Sequence, residues 1–310
     1  MKNLNPSISR SRERLLRPLR WVLLGCLAIV PLCSTLANDK GSIHFIIGPS
    51  KHPPGTHEVK AGARLMTHCL EQAKSFQGVD IEIHHQWPSD FEVFSDAKAL
   101  VFNGDQFPPA RFSESEKIIA QIEELADRGC SFVAVHYGVG VNLPAAHRPE
   151  VTELLSRLFG GYAWFVKGHK DSTLWLVTQS TITPESNGHP ITRGVGEYSF
   201  NDEPYFRNRF PEVPEGTVFT PLATSMMPPD DPRKETVAWS VEHRNGGRGF
   251  AIVMPHFFIN WTNDDFRKMV LNGIVWAIGD EVPQNGIEST LPSLETFEPE
   301  AVHFTPREKK

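Results

Sequence analysis

Ser113-Glu-Ser-Glu-Lys-Ile-Ile-Ala-Gln-Ile-Glu-Glu-Leu-Ala-Asp-Arg-Gly-Cys-Ser-Phe-Val-Ala-Val135 is the stretch on which the fold of this chain turns. Ser113 with Glu116 reads as a capping box, after which Ile118, Ile122 and Leu125 fall on one helix face. Phe132-Val-Ala-Val135 is the strand that follows. Outward from this helix–strand unit the alternation repeats. Upstream, Ile43-His-Phe-Ile-Ile-Gly48 reads as a strand buried on both faces and ends in a Pro/Gly-rich loop. His57 to Ala73 is a helix with Leu65, Cys69 and the Met66/Leu70 pair at i, i+4 spacing; Val79–Ile83 and Ala99–Phe102 are strands. Downstream, Glu150 to Phe159 is a helix stopped by Gly160-Gly161, and Phe266 to Ile278 is another. Leu174–Val177, Val218–Thr220, Val237–Trp239 and Phe250–Met254 read as further strands. Strands alternating with helices predict an α/β protein, a mostly parallel sheet covered by helices on both faces. Sites of such sheets form in loops at the carboxyl ends of strands.

The 310 residues include 22% charged and 40% hydrophobic ones, ordinary values for a globular chain that exclude a disordered or coiled-coil protein. The first 37 residues hold six bases, Lys2 and five arginines, against Glu13 alone, followed by the apolar run Trp21–Cys33 and the small residues before Ala37. This pattern predicts a signal peptide over residues 1–37, export to the periplasm or beyond, and no stable membrane anchor. Without that segment 25 basic residues face 36 acidic ones, a net charge of −11. Such a chain has no basic footprint for a phosphate backbone, so nucleic acid is not an expected partner. Residues 38–280 make the α/β domain. Residues 201–235 read as a long functional loop or small subdomain. Residues 281–310, with four prolines, read as an extended arm docked through Leu291, Leu294 and Phe297. Of the four cysteines, Cys69 and Cys130 remain after cleavage, and two buried thiols are expected rather than a disulfide framework.

All thirteen histidines lie beyond the signal segment. His52 and His57 follow the first strand, His136 ends the fourth, and His256 follows Met254. Parallel strands bring such positions to one edge, and convergent imidazoles with a carboxylate hold divalent transition metals. The expected ligands are therefore His57, His136 and His256, with His52 in reserve and a divalent metal such as zinc as cofactor. Glu58, Asp202 and Glu203 are the candidate bases. His44 reads as packed within its strand, and His84 and His85 as solvated at the close of an edge-like one. No Gly-x-Ser-x-Gly elbow is present, and Cys130 precedes its strand instead of following it.

The order of several motifs carries a resemblance. Gly129-Cys-Ser-Phe-Val-Ala-Val-His136 is followed by Leu155-x-x-Leu-Phe-Gly-Gly161, His169, His189-Pro-Ile-Thr192, Asp202-Glu-Pro-Tyr205, Gly247-Arg-Gly-Phe…Pro-His256 and Asn272-Gly-Ile-Val-Trp-Ala277. Across residues 41–280 the chain resembles the ThuA-like (trehalose-utilisation) family. The resemblance implies a flavodoxin-like, class I glutamine amidotransferase-like three-layer sandwich. It adds His169, His189, Tyr205 and Arg248 as substrate contacts, and a small sugar as substrate. It further implies carbohydrate processing, such as glycosidic cleavage of 3-keto-disaccharides by a hydrolase or lyase. A non-catalytic sugar-binding protein on the same fold is the alternative. Glutaminase chemistry is not expected, because His136 stands where the nucleophile belongs.

Overall fold

The computed structural model describes residues 41–73, 76, 78–142 and 148–306; the expected signal segment, residues 1–37, lies outside the described residues. Thirteen strands are described: β1 (Ser42–Ile46), β2 (Asp80–His84), β3 (Ala97–Phe102), β4 (Ser131–Val135), β5 (Gly140–Asn142), β6 (Ala163–Phe165), β7 (Leu174–Trp175), β8 (Thr178–Pro184), β9 (Tyr198–Asp202), β10 (Tyr205–Phe206), β11 (Val218–Met227), β12 (Arg233–Glu242) and β13 (Arg248–Ile252). The described helices are α1 (Val59–Gln72), α2 (Pro108–Arg111), α3 (Ser115–Asp127), α4 (Pro149–Phe159) and α5 (Asp264–Ala277).

Nine strands form one sheet in the order β2-β1-β3-β4-β13-β12-β11-β8-β9. The first five pair in parallel, and their order is the 2-1-3-4-5 of a flavodoxin-like fold. From β13 outward the pairings are antiparallel, so β12 and β8 alone run against the other seven. The fold is thus the expected α/β sandwich, extended by an antiparallel meander. That meander takes up much of residues 201–235, which the sequence suggested as a long loop or a small subdomain: β11 and β12 are ten-residue strands.

The parallel strands are buried on both faces, as β1 and β4 show without an exposed residue between them. Helices α1 and α5 cover one face, α3 and α4 the other. Phe102, Phe132, Phe250 and Trp239 are fully buried between them. Each such side chain contributes about 1.5–3 kcal/mol of transfer free energy. Trp239 also donates its indole N–H to the Phe159 carbonyl at 2.9 Å, so its polar atom is satisfied. A Cβ on Gly273 would lie 2.2 Å from the Phe250 ring, and glycine there is what lets α5 rest on β13.

Two local expectations change. Helix α3 begins at Ser115, and its N-cap Glu114 makes no side-chain cap, so the Ser113/Glu116 box does not form. The chain arrives from the one-turn α2, and the Ser115 hydroxyl bonds the Pro109 carbonyl instead. Of Leu174–Val177 only the first two residues pair, with β10 outside the main sheet, and all four are exposed. Cys69 and Cys130 are buried free thiols. The chain after α5 runs back across α1, where Leu294 and Phe297 are buried. No helix among the described residues is long and apolar enough to cross a membrane.

Candidate metal centre

The carboxyl ends of β1, β3, β4, β9 and β13 meet on one edge. The loop after β1 carries His57, and the loop after β13 carries His256. The two loops are zipped together by the backbone: His57 N–H donates to the His256 carbonyl at 3.0 Å and Phe258 N–H to the Gly55 carbonyl at 3.0 Å. His136 follows β4 directly with φ +50°, and His57 has φ +43°. Both are left-handed conformations that non-glycine residues hold only when their surroundings enforce them, a condition met most often at functional sites.

Three imidazole nitrogens converge there. His57 Nε2 lies 3.0 Å from His136 Nε2 and 3.0 Å from His256 Nδ1, and the last two are 3.4 Å apart. Ligands on a zinc ion with ~2.0–2.1 Å bonds stand about 2.9 Å apart at right angles and about 3.4 Å apart at the tetrahedral angle. The three distances span that range. The outer nitrogens fix the tautomers. His136 Nδ1–H donates to the Val253 carbonyl at 2.9 Å and His57 Nδ1–H to Asp105 Oδ1 at 2.8 Å, which leaves both Nε2 atoms as lone pairs facing the common point. Burial holds all three imidazoles below their ordinary pKa, His256 at about 3 and His136 well below 6.5, with the neighbouring imidazoles adding to the effect. They are neutral, as ligation requires. The residues fit a divalent transition metal.

The surrounding side chains divide by role. His52 stacks on His57 with centroids 3.5 Å apart and pairs with Asp105 Oδ2 at 3.1 Å; it supports the ligands from outside the trio. Burial works to raise the Asp105 carboxyl, but the bonds from His52 and His57 outweigh it and hold the group below the usual carboxylate range. Tyr205 donates its hydroxyl to His136 Nε2 at 3.0 Å and stacks on that ring. Glu203 Oε2 is 3.3 Å from His256 Nδ1. Burial, and then the charge of Asp202, raise the Glu203 carboxyl to about 8. Asp202 is fully buried, its own carboxyl raised by that burial to about 6, and Oδ1 accepts from the backbone N–H of His256 at 2.8 Å and of Glu203 at 2.7 Å. It holds the two loops in register and does not reach the trio.

A family model described as trehalose utilisation, ThuA, matches residues 50–277. The chain belongs to the ThuA family. Its fold is that of a ThuA-like protein from Bacteroides uniformis, 14% identical with a TM-score of 0.55, over 77% of this chain and 91% of that one. More remote likenesses include PurLQS from Thermotoga maritima (13% identity, TM-score 0.41, 77% and 97% of the two chains) and a glutamine amidotransferase from the same organism (9%, 0.38, 77% and 96%). No curated protein matches the chain. Membership gives the ThuA chain a carbohydrate-related role.

Several residues expected at the site are engaged elsewhere. The Glu58 carboxylate, at the edge of the small cavity that the trio lines, accepts from the N–H groups of Gly55, Glu300 and Ala301 at 2.8–3.1 Å, so it ties the C-terminal arm to the His57 loop. Thr305 N–H adds a bond to the Pro54 carbonyl at 2.9 Å, and a Cβ on Gly55 (φ +81°) would meet the His303 backbone at 2.3 Å. Glu58→Ala leaves three N–H groups without their acceptor, and should cost about 1–3 kcal/mol. The measurable result is faster amide exchange across residues 299–305, with the trio still assembled; unchanged exchange would show that the arm docks without Glu58. His189 and Arg248 line a separate cavity with Trp276, because Arg248 opens β13 at the sheet edge opposite His256. His84, read as solvated, bonds His44 Nδ1 at 2.9 Å, and His44 in turn reaches Ser42 Oγ at 2.7 Å. Asp105 and Tyr137, both lining the trio or its cavity, were missed. Asp105 carries one signal: it closes Asn103-Gly-Asp directly after β3, on the edge where the histidines lie.

Cys130 precedes β4 and is fully buried, its thiol pushed up to about 12 by burial. The elbow beyond β4 holds His136. Cys130→Ser should therefore keep turnover within a few-fold of wild type and lower stability modestly, and wild type should release no ammonia from glutamine. Loss of all activity in a folded Cys130→Ser protein would refute this placement.

Proposed function

We propose that this ThuA-family chain is an exported, metal-dependent enzyme that breaks glycosidic bonds of oxidised (keto-) saccharides. The observation that supports it most is the trio of neutral imidazoles spaced as the ligands of one ion, beside a carboxyl raised to about 8. The proposal of export rests on the basic-then-apolar pattern of residues 1–37. His57, His136 and His256 would hold the ion, with His52 and Asp105 orienting His57. A divalent ion there supplies Lewis-acid stabilisation of negative charge on a substrate oxygen.

The side chains do the proton chemistry. In a 3-keto-glycoside the C2–H lies between the carbonyl and the anomeric carbon, and is acidic. Glu203, within the cavity wall, takes that proton as the C2–H bond breaks; the C1–O bond then opens, C1=C2 forms, and the leaving oxygen receives a proton. A carboxyl raised toward neutral pH is a stronger base when ionised and a usable acid when protonated. Tyr205, whose hydroxyl would give up the His136 Nε2 lone pair once that nitrogen held an ion, would then be placed to donate to a substrate oxygen. The cavity beside the trio is about 1020 Å³ and is walled by Phe165, Trp175 and Tyr205, room enough for a saccharide of more than one ring. The test is elemental analysis of the purified protein, followed by turnover of keto-disaccharides. Bound metal with product release supports the enzyme; saccharide binding without metal or turnover would leave a binding protein on the same fold.

A further inference from the structure

The cavity has a second feature that the trio does not use. Its outer wall is the loop between β6 and β7, carrying Lys167, His169 and Lys170, with Arg207 just beyond β10. This loop is built to a fixed shape. Val166 N–H donates to Ser172 Oγ at 2.9 Å, His169 N–H to the Val166 carbonyl at 3.0 Å, and Ser172 N–H to the His169 carbonyl at 3.1 Å. Arg207 Nη2 donates to the Lys170 carbonyl at 2.7 Å, so the guanidinium is held against the lysine loop. Glu235 accepts from the Arg207 backbone N–H at 2.8 Å rather than from its guanidinium. Among the described residues, none of Lys167, Lys170 and Arg207 forms an ion pair. The carboxylate in the cavity wall is Glu203, at the trio.

Three positively charged side chains thus line one cavity of a chain whose net charge is −6. A cleft of one sign inside a molecule of the other focuses its field on the ligand, not on the bulk surface. Trp175, 54% exposed, stands on the same wall as a flat apolar platform for a sugar ring. We infer that the substrate is an anionic saccharide, whose carboxylate or sulfate or phosphate ester is received by Lys167, Lys170 and Arg207 while a sugar ring packs on Trp175. The inference rests on the saccharide reading above and narrows it to a charged class. Arginine offers the planar fork that matches such oxyanions, and the lysines add charge without demanding one geometry.

The experiment uses the purified protein with its metal retained. Trehalose, cellobiose and maltose are titrated calorimetrically in neutral form and bearing a 6-carboxylate, 6-sulfate or 6-phosphate. The expected result is binding of at least one anionic form about tenfold or more tighter than its neutral parent, a margin that shrinks as salt screens the charges. In Lys167→Met/Arg207→Met the anionic-to-neutral ratio should fall toward one. The arm that binds best tells carboxylate from ester. Equal binding of neutral and anionic forms would overturn this inference and leave the saccharide reading standing. Binding of no saccharide of either charge would overturn the saccharide reading itself, and this inference with it.

Discussion

Treating the protein with a strong chelator should lower its melting temperature by about 5–10 °C. An ion that binds only the native state contributes about 2.7 kcal/mol at a hundredfold excess over its dissociation constant. For a domain of this size each kcal/mol is worth about 2–4 °C. His136→Ala/His256→Ala, which removes two of the three converging nitrogens, should melt at the same temperature with and without chelator. The acid limit carries a second signature. Exposed imidazoles would release metal near pH 6.5, but burial holds His256 at about 3 and lowers His57 and His136, so release should begin well below 6.5. The sign follows for the metal-free protein too. Below pH 6.5 the unfolded chain binds protons that the buried trio refuses, so its stability should fall from 6.5 downward and be flat in that respect above it. Identical melting curves for chelated and untreated wild type, with no metal by elemental analysis, would remove the metal.

Much of this was readable from local pattern. The parallel strands are short apolar runs between amphipathic helices, and a residue that ends such a strand has one edge to occupy. That reasoning brought His57, His136 and His256 into one expected set, and the structure places their nitrogens within 3.4 Å of one another. What failed to read was long-range. Glu58 sits one residue from His57, yet its carboxylate bonds Glu300 and Ala301, 242 and 243 residues on, and no periodicity encodes that meeting. Arg248 and His256 belong to one motif but to opposite ends of β13. Here the signal existed: a residue that opens a parallel strand cannot join the site beyond its close. The antiparallel meander was harder, since its strands carry the same β-branched and aromatic residues as parallel ones and differ in pairing alone.

Glu203→Gln should lower turnover by about 10²- to 10⁴-fold, the usual worth of a placed general base, while metal content stays at the wild-type level. The side chain lies 3.3 Å from His256 Nδ1 and the amide keeps its shape, so the trio has no reason to open. The pH profile separates chemistry from structure. A general base makes kcat/KM climb with pH until it is ionised, and that climb should vanish in the variant. Stability moves the other way. The metal-free native state favours the protonated carboxyl, whereas the unfolded chain ionises near pH 4.5. Between those values folding binds a proton, so wild-type stability declines as pH rises through the window. Glutamine has no charge to desolvate, and at pH 8–9 the chelated variant should be more stable than chelated wild type by about 2–4 kcal/mol, each pKa unit being worth ~1.4 kcal/mol. A variant that is inactive and yet more stable marks a group kept for its chemistry at a cost in folding. Turnover within threefold of wild type, or a persisting alkaline climb, would move the base elsewhere in the cavity.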